Sequence, residues 1–271
     1  MHELLLFAIS IGAGFLGALL GIGGGMIIVP VLTLYLHVDI RYAIAASLIS
    51  IVATSSGAAA SFLRDKLTNL RVAVLLEVGT VSGAITGFLI ASFVKPGILF
   101  LIFGFFLMFS AAMMLRRREE ARAVVDHPWS RRLRLAGSFP NEQGEATYYV
   151  VEKVPSGIFY MYLAGILSAL LGIGSGILKV MAMDGAMKLP IKVSSATSNF
   201  MIGVTATASA GAYFAQGLVR PEIAAPVALG IIIGSWFGAR MMVKMKPQML
   251  RYIFVILLSV VSVQMILKGF S

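Results

Sequence analysis

The chain of 271 residues contains no cysteine. Disulfides, thiolate metal sites and cysteine nucleophiles are thereby excluded. Its three histidines, His2, His37 and His127, lie far apart with no metal-ligand spacing. No serine is matched to a histidine and a carboxylate, and no phosphate loop ends in Gly-Lys-Ser/Thr. With no catalytic set, no cofactor motif and no metal ligands, the sequence is read as a non-enzyme. Charge is scarce too: charged residues make up 13%, with 12 Asp and Glu against 22 Lys and Arg. A soluble domain of this length needs more charge to cover its surface. The net charge of +10 does not point to nucleic acid. The basic residues sit between apolar runs, where they report membrane topology. The opening "MHELLLFAIS" lacks a basic leader region and is read as part of the first repeat, not as a cleaved signal peptide.

What the sequence has in quantity is apolar length. Hydrophobic residues reach 59% and mean hydropathy is +0.93. Ile49–Phe62, Val72–Val94, Pro96–Leu115, Val193–Ala215, Ile223–Met242 and Tyr252–Leu267 are each near the length that crosses a bilayer core. An all-α polytopic membrane protein is predicted, with the lipid bilayer as its first partner. The extended polar stretch is a connector over residues 116–155. Within it, "LRLAGSFPNEQGEATYYVVEKV" alternates on both sides of a Pro-Asn…Gly turn, which predicts a small cytoplasmic β-hairpin. Its basic "HPWSRRLR" reads as a topology anchor.

The chain also repeats itself. "GFLGALLGIGGGMIIVP" (Gly14–Pro30) returns as "GILSALLGIGSGILKVM" (Gly165–Met181), an offset of 151 residues. Gly21, Gly23 and Gly25 fall on Gly172, Gly174 and Gly176; Ser47 falls on Ser198, Thr54 on Thr205, Gly79 on Gly230, and Lys95–Pro96 on Lys246–Pro247. About a quarter of positions agree over some ninety residues without a gap. Three divisions follow: a first membrane repeat (1–115), the basic connector (116–155) and a second membrane repeat (156–271). Each repeat reads as a glycine-broken segment followed by three spans.

If that segment crosses the membrane once, the copies are parallel; if it enters and returns, they are inverted. With the connector in the cytoplasm, inversion places 17 of the 22 Lys and Arg inside and 4 outside, with Lys179 in the membrane. The parallel arrangement gives 13 against 8. Charge also changes sides between copies. "RDKLTNLR" is basic where its counterpart "AQGLVRPE" is nearly neutral, and "MVKMKPQMLR" is basic where "ASFVKPGILF" holds one lysine. Inverted repeats are therefore expected, with the Leu4–Leu36 segment folded as a hairpin of two half-spans whose turn uses the glycines.

Inverted halves with interrupted helices predict a secondary transporter with its site at the midplane. N–H groups freed at half-helix starts favour an anion. Lys179 replaces Ile28 of the first copy inside an apolar run. Two readings stand for it: a cationic contact to substrate, or a lysine that snorkels or pairs with Asp184. Asn199 lies with Ser195 and Ser198 on one face of a polar span, as Ser47, Ser50 and Thr54 do in the first copy, Thr54 matching Thr205. Such faces donate to oxyanions, coordinate Na⁺, or pack helices. Glu77 is either a proton-coupling carboxylate or the partner of a cytoplasmic arginine.

The paired motifs "GALLGIGGG" and "SALLGIGSG", each opening half of a repeated membrane protein of this length, resemble the sulfite exporter TauE/SafE family. The resemblance covers essentially the whole chain. It implies a bacterial or archaeal inner-membrane, multi-pass carrier that moves sulfur-containing anions such as sulfite, sulfoacetate and other organosulfonates, mostly outward. Carried onto this sequence, it places Gly23, Gly24, Gly25, Gly174, Ser175 and Gly176 at the site. Ser175 departs from the triple-glycine pattern. The combined expectation is an alternating-access carrier of a small anion, coupled to H⁺ or Na⁺, with a passive anion channel or a carrier of another small organic anion as alternatives.

Overall fold

The computed structural model describes residues 2–19, 24–64, 67–115, 128–140, 145–242 and 247–270. Helix α1 (His2–Leu19) precedes the short α2 (Gly25–Pro30), which widens into a π-helical turn at Val31–Tyr35. Then come α3 (Ile40–Arg64), α4 (Leu70–Phe93) and α5 (Pro96–Leu115). The connector contributes α6 (Pro128–Arg132) and the strands β1 (Gly137–Pro140) and β2 (Ala146–Tyr149). The second copy follows as α7 (Val154–Leu171), α8 (Gly176–Met181) with a π-helical turn at Ala182–Ala186, α9 (Ile191–Ala215), α10 (Pro221–Met242) and α11 (Pro247–Phe270).

From α2 onward, every element of the second copy starts 151 residues after its counterpart. The copies agree even in irregular detail. His37 and Lys188, one offset apart, both hold positive φ, 51° and 59°. The π-helical turn recurs at the same place, after Pro30 in one copy and after Met181 in the other. Proline alone therefore does not cause it. Local sequence sets the helix starts: α5, α6, α10 and α11 each begin on a proline, whose missing N–H is harmless in the first turn. Helix α4 begins after Asn69, whose side-chain oxygen accepts the Val72 N–H at 3.1 Å.

The halves interlock. Helix α1 packs along α10 and α4 along α7, in backbone-to-backbone contact that only glycine allows. A Cβ on Gly230 would strike the Phe7 carbonyl, and one on Gly234 the Ile11 carbonyl. One offset away, Gly79 faces the Ile158 carbonyl, Gly83 that of Tyr162 and Gly87 that of Ile166. Both members of each pair advance together, so α1 runs parallel to α10 and α4 parallel to α7. Helices α5 and α11 pair in opposite senses: Gly97 meets Gly269, while Gly104 meets Ser262, whose hydroxyl donates to the Gly104 carbonyl at 2.7 Å.

Other contacts orient the rest. Arg41, at the start of α3, donates to the Ser92 and Val94 carbonyls at the end of α4. Arg220, entering α10, stacks over the Tyr42 ring at 4.3 Å, so α3 and α10 start at the same end. Gln216, just past α9, donates to Ser92 at 3.4 Å, so α9 and α4 finish together. Helices α1, α3 and α10 thus share one sense, and α4, α7 and α9 the other.

The expected β-hairpin is present. Gly137 pairs with Tyr149 and Pro140 with Ala146 in antiparallel register. It roofs a second apolar core in which Leu135, Tyr149 and Val151 meet Val72, Leu76, Met161 and Met187. Asn69 pins it by donating to the Leu135 carbonyl and the Tyr149 hydroxyl, both at 2.9 Å. Burial raises the pKa of Tyr149, so that hydroxyl keeps its proton. The charged "RRREEARA" segment after α5 lies outside the described residues. Phe93, Phe105, Phe159, Phe214, Phe237 and Val260 stand exposed on the outside, a surface suited to lipid.

Candidate functional site

The two glycine motifs come together at the centre of the molecule. Gly23 lies outside the described residues. Gly24 caps α2, and its carbonyl accepts the N–H groups of Ile27 and Ile28 at 3.1 and 3.0 Å. Gly25 is wedged where a Cβ would come within 2.8 Å of the Gly172 carbonyl and 2.7 Å of the Ser47 hydroxyl. Ser47 donates to that same Gly172 carbonyl at 2.6 Å. A side chain of the first copy thus holds the turn of the second.

That turn uses left-handed backbone at Gly172 (φ 66°), Gly174 (φ 68°) and Ser175 (φ 49°). L-residues visit this region at a cost, which makes Ser175 the conspicuous one. Its hydroxyl is buried and has no hydrogen-bond partner among the described residues. Gly176 opens α8, and its carbonyl accepts from Ser198 on α9 at 3.2 Å. Ser47 and Ser198, matched by the repeat, therefore both serve the turn at Gly172–Gly176.

One turn beyond Gly176, Lys179 is fully buried. It neither snorkels nor, as the sequence offered, finds its partner in Asp184. Its ammonium lies 3.6 Å from a carboxylate oxygen of Glu77 on α4. It also donates to the Thr205 hydroxyl at 2.5 Å and to the Met201 carbonyl at 3.1 Å. The Glu77 carboxylate accepts from Thr80 at 2.8 Å and lies 3.1 Å from the Thr205 hydroxyl. Glu77 turns inward to Lys179, 102 positions along the chain, and not to a cytoplasmic arginine.

This network joins Lys179, Thr205 and Glu77, together with Thr80, which no motif in the sequence singles out. Lys179 and Glu77 stand inside otherwise apolar runs. Two opposite charges, each inside an apolar run, were the available signal for the bond between them. Asn199 does not join them: its amide donates back to the Ser195 carbonyl at 2.9 Å, and it is only partly buried. Thr54 likewise bonds its own helix, at the Ser50 and Ile51 carbonyls.

Residues 6–265 match the family model described as Sulfite exporter TauE/SafE. The chain is 27% identical over 281 residues to the probable membrane transporter protein YunE of Bacillus subtilis, covering 99% of each. It is 28% identical over 280 residues to a probable membrane transporter protein of Methanocaldococcus jannaschii, covering 97% of this chain and 95% of the other. No solved structure matches it.

Proposed function

The chain belongs to the sulfite exporter TauE/SafE family of membrane transporters, and from that premise we propose that it is an alternating-access carrier of small sulfur-containing anions, such as sulfite, sulfoacetate or other organosulfonates, working outward across the inner membrane. One observation carries this reading. The two glycine motifs, one from each copy, meet at a buried junction that holds a hydroxyl with no partner among the described residues (Ser175) and, one turn on, a buried cation (Lys179). N–H groups around tight turns, a free hydroxyl and an ammonium suit an oxyanion of tetrahedral or pyramidal shape. Gly24, Gly25, Gly174 and Gly176 supply the close backbone. Ser47 and Ser198 hold the turns, and Lys179 and Thr205 reach the anion. Asn199 and Thr54 are assigned to the lining.

The halves are proposed to be inverted, with α1 and α2 forming a re-entrant hairpin and the connector facing the cytoplasm. Support comes from the helix senses. Helices α5 and α11 are repeat counterparts yet antiparallel, as a two-fold axis in the membrane plane requires. Helices α1 and α3 share a sense, so the segment between them must run back. The close-packed contact of Gly25, Ser47 and Gly172 supports a carrier over a passive channel.

Counterflow in proteoliposomes tests the function. With unlabelled sulfite or sulfoacetate inside, labelled anion added outside is expected to accumulate transiently above equilibrium. Simple equilibration would favour the channel, and the absence of protein-dependent uptake by folded protein would refute anion transport.

A further inference from the structure

The buried pair of Glu77, from the first copy, and Lys179, from the second, has no charged counterpart at the positions one repeat offset away. The positions one offset away are Ile28 and Ala228, while Thr205 keeps its counterpart Thr54. The symmetry-related positions, one on α2 and one on α10, are therefore both apolar. A buried ion pair contributes little stability relative to apolar packing of equal volume, so the fold itself does not call for these charges. What they do require is neutrality. Either charge left alone at this depth is costly, and any anion that engages Lys179 must contend with the carboxylate already there.

From this geometry, and resting on the carrier reading above, we propose that the anion and a proton bind as a pair, the anion taking the place of Glu77 on Lys179 while Glu77 is protonated. The proton forms an O–H bond on the Glu77 carboxylate, its ion pair with Lys179 ends, and the substrate anion closes a new ion pair with the unchanged ammonium. The net charge of the buried site is zero before and after. Proton and anion then travel in the same direction, so outward movement is driven by the anion's own outward gradient, and a singly charged anion fits the balance where a dianion leaves an uncompensated negative charge.

The surrounding groups suit the exchange. Thr205 Oγ1 accepts from Lys179 and has two acceptors of its own, the Glu77 carboxylate and the Met201 carbonyl at 2.9 Å. Its hydroxyl can turn to Met201 when Glu77 becomes a donor. Thr80 likewise has the Leu76 and Glu77 carbonyls to fall back on, at 3.4 and 3.3 Å. Among the described groups facing Glu77, α8 brings Lys179, α9 brings Thr205 and α4 itself brings Thr80. Helix α7 brings Met161 and Gly165 against this stretch of α4. Lys153, Lys192 and Arg71 stand exposed at helix starts, and Asp184 is half-buried on the π-helical turn beyond Lys179.

The test uses labelled sulfite and proteoliposomes of wild type and Glu77→Gln. A pH gradient, alkaline inside, is expected to drive sulfite accumulation by wild type. In Glu77→Gln the unpaired lysine should lower the half-saturating sulfite concentration severalfold, and the added drive from the gradient should vanish. Sulfite's own protonation is common to both proteins, so the difference between them reads Glu77. Equal gradient-driven accumulation by both would overturn the proposal. If wild type exchanges sulfite in counterflow but ignores the gradient, coupling falls and the carrier reading stands; without counterflow, both fall. Should Glu77→Gln not fold, Glu77→Ala with Lys179→Ile reproduces the apolar residues found one offset away, Ala228 and Ile28. That variant is expected to fold and to lose both sulfite binding and gradient response, and a wild-type response from it would equally overturn the proposal.

Discussion

Ser175 concentrates the argument at the scale of a single residue. Its left-handed backbone is strained for a side chain, and its buried hydroxyl bonds to nothing among the described residues. A group that makes no bond in the fold cannot stabilise the fold by that bond, whereas a hydrogen bond to a charged partner contributes about 1.5–3 kcal/mol. Ser175→Ala is therefore expected to raise the half-saturating anion concentration about tenfold while leaving thermal unfolding unchanged. Unchanged transport, or a clear loss of stability, would show that the hydroxyl is not a ligand. Much of this was legible in the sequence, because Ser175 breaks a glycine triplet and Lys179 interrupts an apolar run. The bond from Lys179 to Glu77 was not. Periodicity places each charge on its own helix, but only tertiary packing joins α4 to α8. Asn199 shows the converse, since helical spacing put it beside Ser198 and yet its amide turns back to Ser195.

Among the helices, the glycines of α4 and α10 set how closely the copies approach. Apolar length and the proline starts made most helices readable, and alternation around Pro-Asn…Gly made the hairpin readable. The π-helical turns were not, since no residue pattern marks them and Pro30 precedes only one. Nor was the division of Leu4–Leu36: α1 has 18 residues and α2 with its π-helical turn 11, so the arms are unequal rather than two half-spans. The glycine contacts permit a sharp comparison. A Cβ on Gly83 meets the Tyr162 backbone, which cannot move aside, whereas Gly211 has nothing within 4 Å. Gly83→Ala is expected to cost about 1–3 kcal/mol by overpacking and to lower the unfolding temperature in detergent. Gly211→Ala should be neutral or slightly stabilising, because alanine favours the helix. Equal effects at the two sites would mean that the α4–α7 contact is not close.

For the whole molecule, the governing feature is that each copy is completed by the other. Helix α1 packs on α10 and α4 on α7, so neither copy forms a separate lobe. The repeat itself was visible in the sequence as an ungapped offset, and the exchange of basic loops pointed to opposite orientations. The interlocking was invisible, because an offset relates positions in sequence and says nothing of which helices touch. Hairpins, a site at the junction of the two turns and access alternating between two faces all depend on the halves facing opposite ways. The absence of cysteine makes this directly measurable, since a single introduced thiol labels without background. His37 and Lys188 are repeat counterparts, both exposed and both in the same backbone conformation. With a membrane-impermeant maleimide on intact cells, His37→Cys is expected to label from outside and Lys188→Cys only after permeabilisation. Labelling of both from the same face would mean that the copies run parallel and would contradict the account.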